Sequence, residues 1–335
     1  MALQNRGRAS MATAAVASLM FLAACGSDDS SDSGEAADSS ADAGAAATVT
    51  ITDSQGRDVE IPTNPEVVVA TDWTAIRTLN DLGIEVDATP AANAGLPEDL
   101  AMYEGDDIPV VGDVFEPDYE AIAAMEPDLV VVGSRSGTPE VVAEFERFAP
   151  AVIDMSVRTE DPAEFVPDTR ERVEQFGEIF GLKAEADELM TGVEDQIEAL
   201  NAEITESGDN AMFVQVSDGS VGAYGPGSRF GLVYSVFGYE PTDAPVDDEG
   251  SHGQEISQEF FVEYNPDALL VLDRAKTIGE DQTPALDILT DGLADSTNAA
   301  QDDRMVEVDG FSWYLAANAP SSLQAMIDDV VASQG

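Results

Sequence analysis

The chain has 335 residues, of which 67 are Asp or Glu and only 14 are Lys or Arg, so its formal net charge is −53. Such an acidic surface repels nucleic acids and anionic lipid headgroups, and both are excluded as partners. A hydrophobic content of 44% is typical of a globular protein and argues against a chain that is disordered throughout. Because basic residues are so scarce, a cluster of them requires an explanation.

The N-terminal segment has the features of an export signal. Two arginines precede an apolar run over residues 11–22, which is too short to remain as a membrane span. The tetrapeptide Leu-Ala-Ala-Cys that ends at Cys25 resembles a bacterial lipobox, in which the cysteine is lipidated and becomes the new N-terminus. We therefore predict a signal peptide over residues 1–24 and a lipid anchor on Cys25, at the extracytoplasmic face of the cell membrane. The alternative is an ordinary secretory signal that contains a cysteine.

The segment that follows has the composition of a linker. Residues 25–47 consist almost entirely of Ser, Asp, Ala and Gly. They show no periodicity of apolar residues, so the segment has nothing to bury and is predicted to be a disordered tether. Cys25 is the only cysteine in the chain, which excludes an intramolecular disulfide.

From Thr48 the sequence takes on the pattern of a folded domain. Alternating β-branched residues on both sides of residues 54–56 predict a β-hairpin. The next predicted elements are strands at 67–70, 110–111 and 129–132 and a helix at 74–83. Apolar strands that alternate with helices indicate a parallel sheet covered on both faces, an α/β architecture. We assign residues 48–161 to an N-terminal lobe.

A helical segment divides this lobe from a second one. Residues 162–180 and 183–206 have helical periodicity and are separated at Gly181, so we predict that 162–206 form connector helices. The alternation of short apolar segments then resumes over residues 207–335, the predicted C-terminal lobe. Its predicted elements are apolar segments at 211–216, 229–237, 269–272 and 305–308 and a closing helix at 322–332.

One motif occurs in both lobes. Glu120 lies seven residues before a Pro-Asp pair, and Arg135 lies eight residues after that proline; Glu259 and Arg274 have the same spacing around a second Pro-Asp pair. Each copy reads as a short helix, a turn, and a buried strand that ends near an arginine. Because ligands of open α/β sheets bind beyond the carboxyl ends of the strands, both arginines are predicted to face a binding cleft. The alternative is a chance likeness within ordinary α/β sequence patterns.

Four segments carry a family resemblance that extends over the whole mature chain: Ala-Tyr-Gly-Pro-Gly-Ser-Arg-Phe-Gly-Leu-Val from residue 223, Ser-His-Gly-Gln from 251, Asn-Pro-Asp-Ala-Leu-Leu-Val-Leu-Asp-Arg from 265, and Trp-Tyr-Leu from 313. Together they resemble the bacterial siderophore-binding proteins of the periplasmic-binding-protein class, most closely the branch that binds ferric catecholates of the petrobactin and enterobactin type. The resemblance implies two Rossmann-like lobes, each with a mostly parallel sheet, joined by a rigid helical connector, the class III architecture.

The resemblance also implies a function and its partners. The chain would be a monomeric, lipid-anchored solute-binding protein that captures a ferric siderophore and delivers it to the permease dimer of an ABC importer. It would have no intrinsic cofactor, since the iron arrives with the ligand. A glutamate on the rim of each lobe, here Glu120 and Glu259, would dock to the permease. Two ordinary first-turn glutamates stabilised by the helix dipole are the alternative.

The resemblance assigns the binding residues as well. Arg135, Arg229 and Arg274 would hold the anionic catecholate oxygens, while His252 and Tyr314 would complete the iron shell. Arginine suits this task because its planar guanidinium keeps its charge and donates several hydrogen bonds, and iron(III) prefers hard oxygen donors. Surface ion pairs are the alternative for the arginines. Trp313 and Tyr224 are candidate aromatic walls, with core packing as the alternative.

Other classes of function fit less well. The chain has no Gly-x-Ser-x-Gly elbow, no phosphate-binding Gly-x-x-x-x-Gly-Lys motif, and one histidine, so we predict that it is not an enzyme. A bare zinc or manganese site would require several histidines. Haem, a corrinoid, or a hydroxamate or citrate chelate of iron remain as alternative ligands of the same fold.

Overall fold

The computed structural model describes residues 47–92, 94–105, 107–246 and 253–335, which belong to one compact unit, Ala46–Gly335. The predicted signal peptide, Cys25, nearly all of the predicted tether, and His252 lie outside the described residues. Within the described ranges, no helix is both long enough and apolar enough to cross a membrane.

The N-terminal half combines a hairpin with a small parallel sheet. Its elements are β1 Thr48–Thr52, β2 Asp58–Pro62, β3 Val68–Ala70, α1 Trp73–Asp81, a 3₁₀ helix at Glu98–Glu104, α2 Tyr119–Ala124, β4 Leu129–Val132, α3 Pro139–Phe145 and β5 Val152–Asp154. Strands β1 and β2 pair antiparallel, which confirms the predicted hairpin. Strands β3, β4 and β5 are parallel and fully buried, as their continuous apolar sequences predict.

One predicted strand is wrong. Residues 110–111 form no named strand; Val110 makes a single parallel bridge with Thr89 and is 56% exposed. The chain leaves the sheet directly afterwards, because Gly112 adopts a positive φ of 86° and forms an antiparallel bridge with Pro117. Two adjacent valines were therefore too short a signal for a strand.

Two long helices follow: α4 Phe165–Ile179, preceded by a 3₁₀ turn at Pro162–Glu164, and α5 Lys183–Ser207. They confirm the predicted helical segment. Gly181, with a φ of 71°, separates them. The buried residues of α5 recur every three or four positions, and α5 packs against α4 and the C-terminal helix. The limits of the predicted lobes and connector stay predictions.

The C-terminal half is built on a larger, mixed sheet. Its elements are β6 Asn210–Ser217, β7 Ser220–Tyr224, α6 Leu232–Ser235, β8 Glu240–Pro241, β9 Gln254–Ile256, α7 Gln258–Tyr264, β10 Ala268–Asp273, α8 Arg274–Thr277, α9 Ala285–Thr290, a 3₁₀ helix at Ala294–Ser296, α10 Asn298–Gln301, β11 Met305–Glu307, a π-helix at Phe311–Leu315 and α11 Pro320–Ala332. Strand order is β11-β10-β6-β7-β9, and β8 pairs with β6. Strand β10 pairs parallel with β11 and β6, and β8 pairs parallel with β6, whereas β7 pairs antiparallel with both β6 and β9.

The repeated sequence motif is also a repeated structure. In each copy a short helix precedes the buried strand, α2 before β4 and α7 before β10. The Asp128 carboxylate accepts a hydrogen bond of 3.0 Å from the backbone N–H of Val67, just before β3. The Asp267 carboxylate accepts one of 3.3 Å from the N–H of Asn210, the first residue of β6. The aspartate of each Pro-Asp pair thus fixes the beginning of the neighbouring parallel strand.

A buried arginine links the first helix to the end of the chain. Arg77 of α1 is 4% exposed. Its Nε donates to Asp99 at 3.0 Å, and its Nη1 donates to the hydroxyls of Ser312 in the π-helix at 2.7 Å and Ser322 in α11 at 3.1 Å. One side chain therefore holds three segments that are distant in sequence.

We predict that Arg77→Ala lowers the free energy of unfolding by about 3 kcal/mol, because the change leaves buried polar partners without their cation. Urea denaturation measures it. Arg147→Ala is the matched control: Arg147 pairs with Glu144, but its side chain is 71% exposed. The control should change the free energy by less than about 0.5 kcal/mol. Equal effects of the two substitutions would contradict the structural role of Arg77.

Candidate functional site

A cleft of about 400 Å³ lies against the carboxyl ends of β4 and β5, the π-helix, and the segment between β7 and α6. Its size is that of a small-molecule site. The charged and aromatic side chains that line it are Arg135, Arg158, Phe165, Arg229, Trp313 and Tyr314.

The three predicted arginines come from three places in the fold. Arg135 follows the end of β4, and Arg274 begins α8 directly after β10, so both follow the carboxyl ends of buried parallel strands. Arg229 lies between β7 and α6. Arg135 and Arg229 line the cleft, whereas Arg274 is not among the lining residues. The structure nevertheless brings all three to Tyr314.

Tyr314 is the point on which the arginines converge. Arg135 Nη2 donates to the Tyr314 carbonyl oxygen at 3.2 Å, and Arg229 Nη2 lies 3.5 Å from the same oxygen. The guanidinium carbons of these two arginines lie 4.9 and 4.8 Å from the centre of the Tyr314 ring, within the range of cation–π contact. The Arg274 guanidinium lowers the pKa of the Tyr314 phenol, and it donates at 3.4 Å to the hydroxyl of Ser217.

These arginines differ from the other basic residues in their lack of carboxylate partners. Among the described residues, Arg135, Arg229 and Arg274 form no ion pair with an Asp or Glu, whereas every other described Lys or Arg forms at least one. Carboxylates are abundant in this chain, so unpaired arginines are unexpected on its surface. The observation favours a site for an anion over ordinary surface ion pairs.

The cations change the acidity of the groups around them. Burial acts to raise the pKa of Tyr314, but the hydrogen bond from Arg274 and the charges of all three arginines together bring that pKa below its ordinary value. Partial desolvation by the surrounding side chains lowers the pKa of Arg229, and the nearby Arg135 cation adds to this effect. The cleft therefore favours negative charge at the position of the Tyr314 oxygen.

The π-helix that carries Tyr314 is held in place by its contacts with α11 and α8. The Asp329 carboxylate of α11 accepts hydrogen bonds of 2.8 Å from Trp313 Nε1 and from the backbone N–H of Asp309. Gly310 approaches α8 so closely that a Cβ there would lie 1.8 Å from the Thr277 hydroxyl oxygen. Glycine is therefore required by space at this position, and the loop holds Tyr314 next to α8 and Arg274.

The two proposed aromatic walls lie in the core. Trp313 is 1% exposed although it borders the cleft, and its ring centre lies 5.2 Å from that of Phe213. Tyr224 is 2% exposed, and its ring packs edge-on against Phe230 at 4.7 Å. Core packing, the alternative for both residues, is what the structure contains. Trp313 lines the cleft despite its low exposure, whereas Tyr224 does not line it.

Arg158 is a cleft residue that the sequence analysis missed. It follows β5, and its Nη2 donates to the buried Asp154 carboxylate at 2.7 Å and to the Gly137 carbonyl at 2.5 Å. The strand-end rule that selected Arg135 also selects Arg158, but residues 152–154 had not been predicted as a strand. Since Asp154 neutralises it, Arg158 adds less positive charge than the unpaired arginines.

Three predicted site residues remain: His252, Glu120 and Glu259. His252 lies outside the described residues, so its position is not described. Glu120 and Glu259 are both exposed and lie in the first turns of α2 and α7, the equivalent helices of the repeated motif. A hydrogen bond from Ser257 lowers the pKa of Glu259.

Comparison with known families identifies the class of this fold. The family model described as periplasmic binding protein matches residues 68–310. The chain belongs to the periplasmic binding protein family. This membership agrees with the two α/β sheets, the two long helices between them in the chain, and a cleft at the strand ends.

Individual relatives extend the comparison. The petrobactin-binding protein YclQ of Bacillus subtilis is 28% identical over 271 residues, 81% of this chain and 83% of the relative, and its crystal structure gives a TM-score of 0.78 over 86% of this chain and 99% of that chain. The periplasmic catecholate-siderophore binding protein VctP of Vibrio cholerae is 30% identical, with a TM-score of 0.77 over 86% of this chain and all of that one. The iron uptake ABC transporter substrate-binding protein PiuA of Streptococcus pneumoniae is 29% identical, with the same TM-score and coverage.

We predict that Tyr314 ionises below the ordinary tyrosine pKa of about 10. Ultraviolet difference absorbance during alkaline titration should show an early tyrosine step that Tyr314→Phe removes. Arg274→Met should move the step to higher pH, because it removes the hydrogen bond to the phenolate. Burial raises the pKa of Tyr224, which keeps the two titrations apart.

The lowered pKa of Tyr314 also makes the stability of the fold depend on pH. Since the folded-state pKa of Tyr314 is below the unfolded value, its ionisation stabilises the fold above the unfolded pKa, and this contribution is lost as the pH falls through the folded pKa. Wild type should therefore lose stability relative to Tyr314→Phe as the pH is lowered through that range. An unchanged difference between the two proteins would contradict the shift.

Proposed function

We propose that this protein captures a ferric siderophore of the catecholate type outside the cytoplasm and delivers it to an ABC importer. The observation that carries the proposal is the set of unpaired arginines, Arg135, Arg229 and Arg274, which converge on Tyr314 in a chain of net charge −53. Deprotonated catechol oxygens are anionic hydrogen-bond acceptors that guanidinium groups bind well. YclQ is a petrobactin-binding protein and VctP a catecholate-siderophore binding protein, which supports this class of ligand, and PiuA belongs to an iron uptake ABC transporter, which supports this class of transport.

Of the two proposed iron contacts, Tyr314 is supported by this geometry, whereas His252 is supported by the sequence resemblance alone. Three nearby cations favour the phenolate form of Tyr314, which is a hard oxygen donor suited to iron(III). A tetradentate siderophore leaves two of the six iron positions open, and we assign them to Tyr314 and His252. A hexadentate siderophore fills all six and leaves both residues as hydrogen-bond partners only.

A titration with ferric chelates tests the ligand class. Residues 26–335 are titrated with ferric catecholates, a hydroxamate, ferric citrate, haem and a corrinoid, and tryptophan fluorescence is followed. Trp73 and Trp313 are the only tryptophans, and Trp313 borders the cleft, so quenching reports on binding there. We expect the tightest binding for a catecholate complex. Arg229→Ala should weaken it by about 10- to 100-fold, the cost of a lost charge-assisted hydrogen bond.

Arg147→Ala is the control, because Arg147 is exposed, ion-paired and not part of the cleft lining. It should leave the affinity unchanged. A change in the charge-transfer absorption of the bound complex in Tyr314→Phe or His252→Ala would identify a direct iron ligand. Tight binding of haem or a corrinoid without a response to catecholates would contradict the proposed ligand. It would leave the proposed role in an ABC importer intact.

Membrane attachment and docking complete the proposal. The lipobox sequence supports lipidation of Cys25, and residues 26–47 would then tether the folded unit to the membrane as a monomer. Glu120 and Glu259 are exposed, occupy equivalent places in the repeated motif, and form no ion pair with another described residue. These features support docking of one glutamate from each half to the permease dimer.

One uptake experiment tests both membrane proposals. Cells that lack the protein are complemented with variants, and uptake of the iron complex and recovery in the membrane fraction are measured. The double change Glu120→Ala, Glu259→Ala should reduce uptake at least tenfold while ligand binding stays normal. Glu185→Ala is the control, since Glu185 is an exposed first-turn glutamate of α5. Normal uptake by the double variant would contradict docking through these glutamates. Recovery of Cys25→Ala in the membrane fraction would contradict the lipid anchor.

A further inference from the structure

An exposed aromatic ring stands beside the unpaired arginines. Phe115 is 64% exposed, the highest value among the large apolar side chains of the described residues. The guanidinium carbon of Arg135 lies 6.0 Å from the centre of the Phe115 ring and 4.9 Å from that of Tyr314. The same cation therefore contacts a ring in the cleft and a ring at the surface.

The backbone holds Phe115 in this exposed position. Its turn is closed by the bridge between Gly112 and Pro117, and the Asp113 carboxylate accepts hydrogen bonds from the N–H groups of Phe115 at 2.7 Å and Glu116 at 2.9 Å. A Cβ at Gly112 would lie 2.4 Å from the carbonyl oxygen of Glu116, so the turn requires glycine by space as well as by its positive φ. Phe115 is thus presented by a closed, hydrogen-bonded turn.

A small apolar recess lies on the same side of Arg135. It measures about 50 Å³, is lined by Phe115, Val114 and Phe311 among others, and shares Arg135 and Leu315 with the main cleft. A cavity that holds benzene measures about 150 Å³, so this recess is too small for an aromatic ring. A ligand ring next to Arg135 must therefore lie outside the recess, either in the main cleft or against the exposed face of Phe115.

We propose that Phe115 is a ligand-binding residue that stacks against an aromatic ring of the bound chelate while the deprotonated oxygens of that ring face Arg135. The inference rests on the proposed function and deepens it: Arg135 recognises the charge of a catecholate, and Phe115 recognises its flat apolar face. Phe115 would be an exposed aromatic wall, whereas Trp313 and Tyr224 are almost fully buried.

Three substitutions at Phe115 test the assignment. Binding of a ferric bis-catecholate and of ferric citrate, which is anionic and has no aromatic ring, is measured by calorimetry for wild type and each variant. Phe115→Ala should weaken catecholate binding about tenfold and leave ferric citrate unchanged. Phe115→Leu should recover only part of the loss, because it restores apolar area without the ring. Phe115→Trp should give an indole that the ferric catecholate quenches.

Val110 supplies the matched control. It is apolar and 56% exposed, and it lines neither the main cleft nor the small recess. Val110→Ala should bind like wild type, and the added indole of Val110→Trp should be quenched less than that of Phe115→Trp. If wild type binds the catecholate and Phe115→Ala binds it equally well, the inference is wrong and the proposed function stands. Equal weakening for catecholate and citrate, or an unquenched indole at 115, would also overturn it. Absence of binding by wild type would overturn both.

Discussion

The site depends on holding guanidinium groups near one another without carboxylates between them. The guanidinium carbons of Arg135 and Arg229 lie 4.9 and 4.8 Å from the same tyrosine ring. They are therefore no more than about 10 Å apart, which is the Debye length at 0.1 M salt, so solvent ions screen their repulsion only partly. Arg274, whose charge lowers the pKa of the Tyr314 phenol, adds a third positive charge. Such a cluster persists only where the fold fixes each member.

The fold supplies that restraint from several directions. Arg135 and Arg274 follow strands whose residues are all buried, so their backbones have little freedom. The π-helix that carries Tyr314 is held by Asp329 below it and by Arg77, which donates to Ser312. Residues far from the cleft in sequence thus determine its geometry, and the positions of the cations are set before any ligand arrives.

Much of this arrangement could be predicted from the sequence, because two of the arginines lie just after buried parallel strands. Buried parallel strands have recognisable apolar runs, and their carboxyl ends lie at one edge of the sheet; this rule selected Arg135 and Arg274, and both are near Tyr314 in the structure. The repeated motif gave the same result twice, and the structure adds that Glu126 and Asn265, each before the proline, both have a positive φ. Arg158 was missed because the short strand before it, Val152–Asp154, had not been predicted. The strand-end rule itself applies to Arg158.

The remaining features were missed for two reasons: one sequence signal was not used, and the packing of aromatic side chains is not contained in a sequence pattern. Strand β7 pairs antiparallel with β6 through a turn at Asp218 and Gly219, both with positive φ; Asp-Gly is a hairpin signal that was present but not used. The burial of Trp313 and Tyr224 depends on Phe213, whose ring lies near both. An aromatic residue in a binding motif can face the ligand or the core, and only tertiary packing decides which.

The distribution of charge in the whole chain explains why the contacts at the cleft must be direct. A net charge of −53 repels an anionic chelate as it approaches, and this repulsion acts over the entire surface. At 0.15 M salt the Debye length is about 8 Å, so distant carboxylates are largely screened while a hydrogen-bonded guanidinium is not. Binding is therefore determined by groups in contact with the ligand, and the cleft lining includes Arg135 and Arg229, which form no ion pair with a described residue. The acidic surface excludes anions from other places on the molecule, and the cluster around Tyr314 makes the cleft the exception.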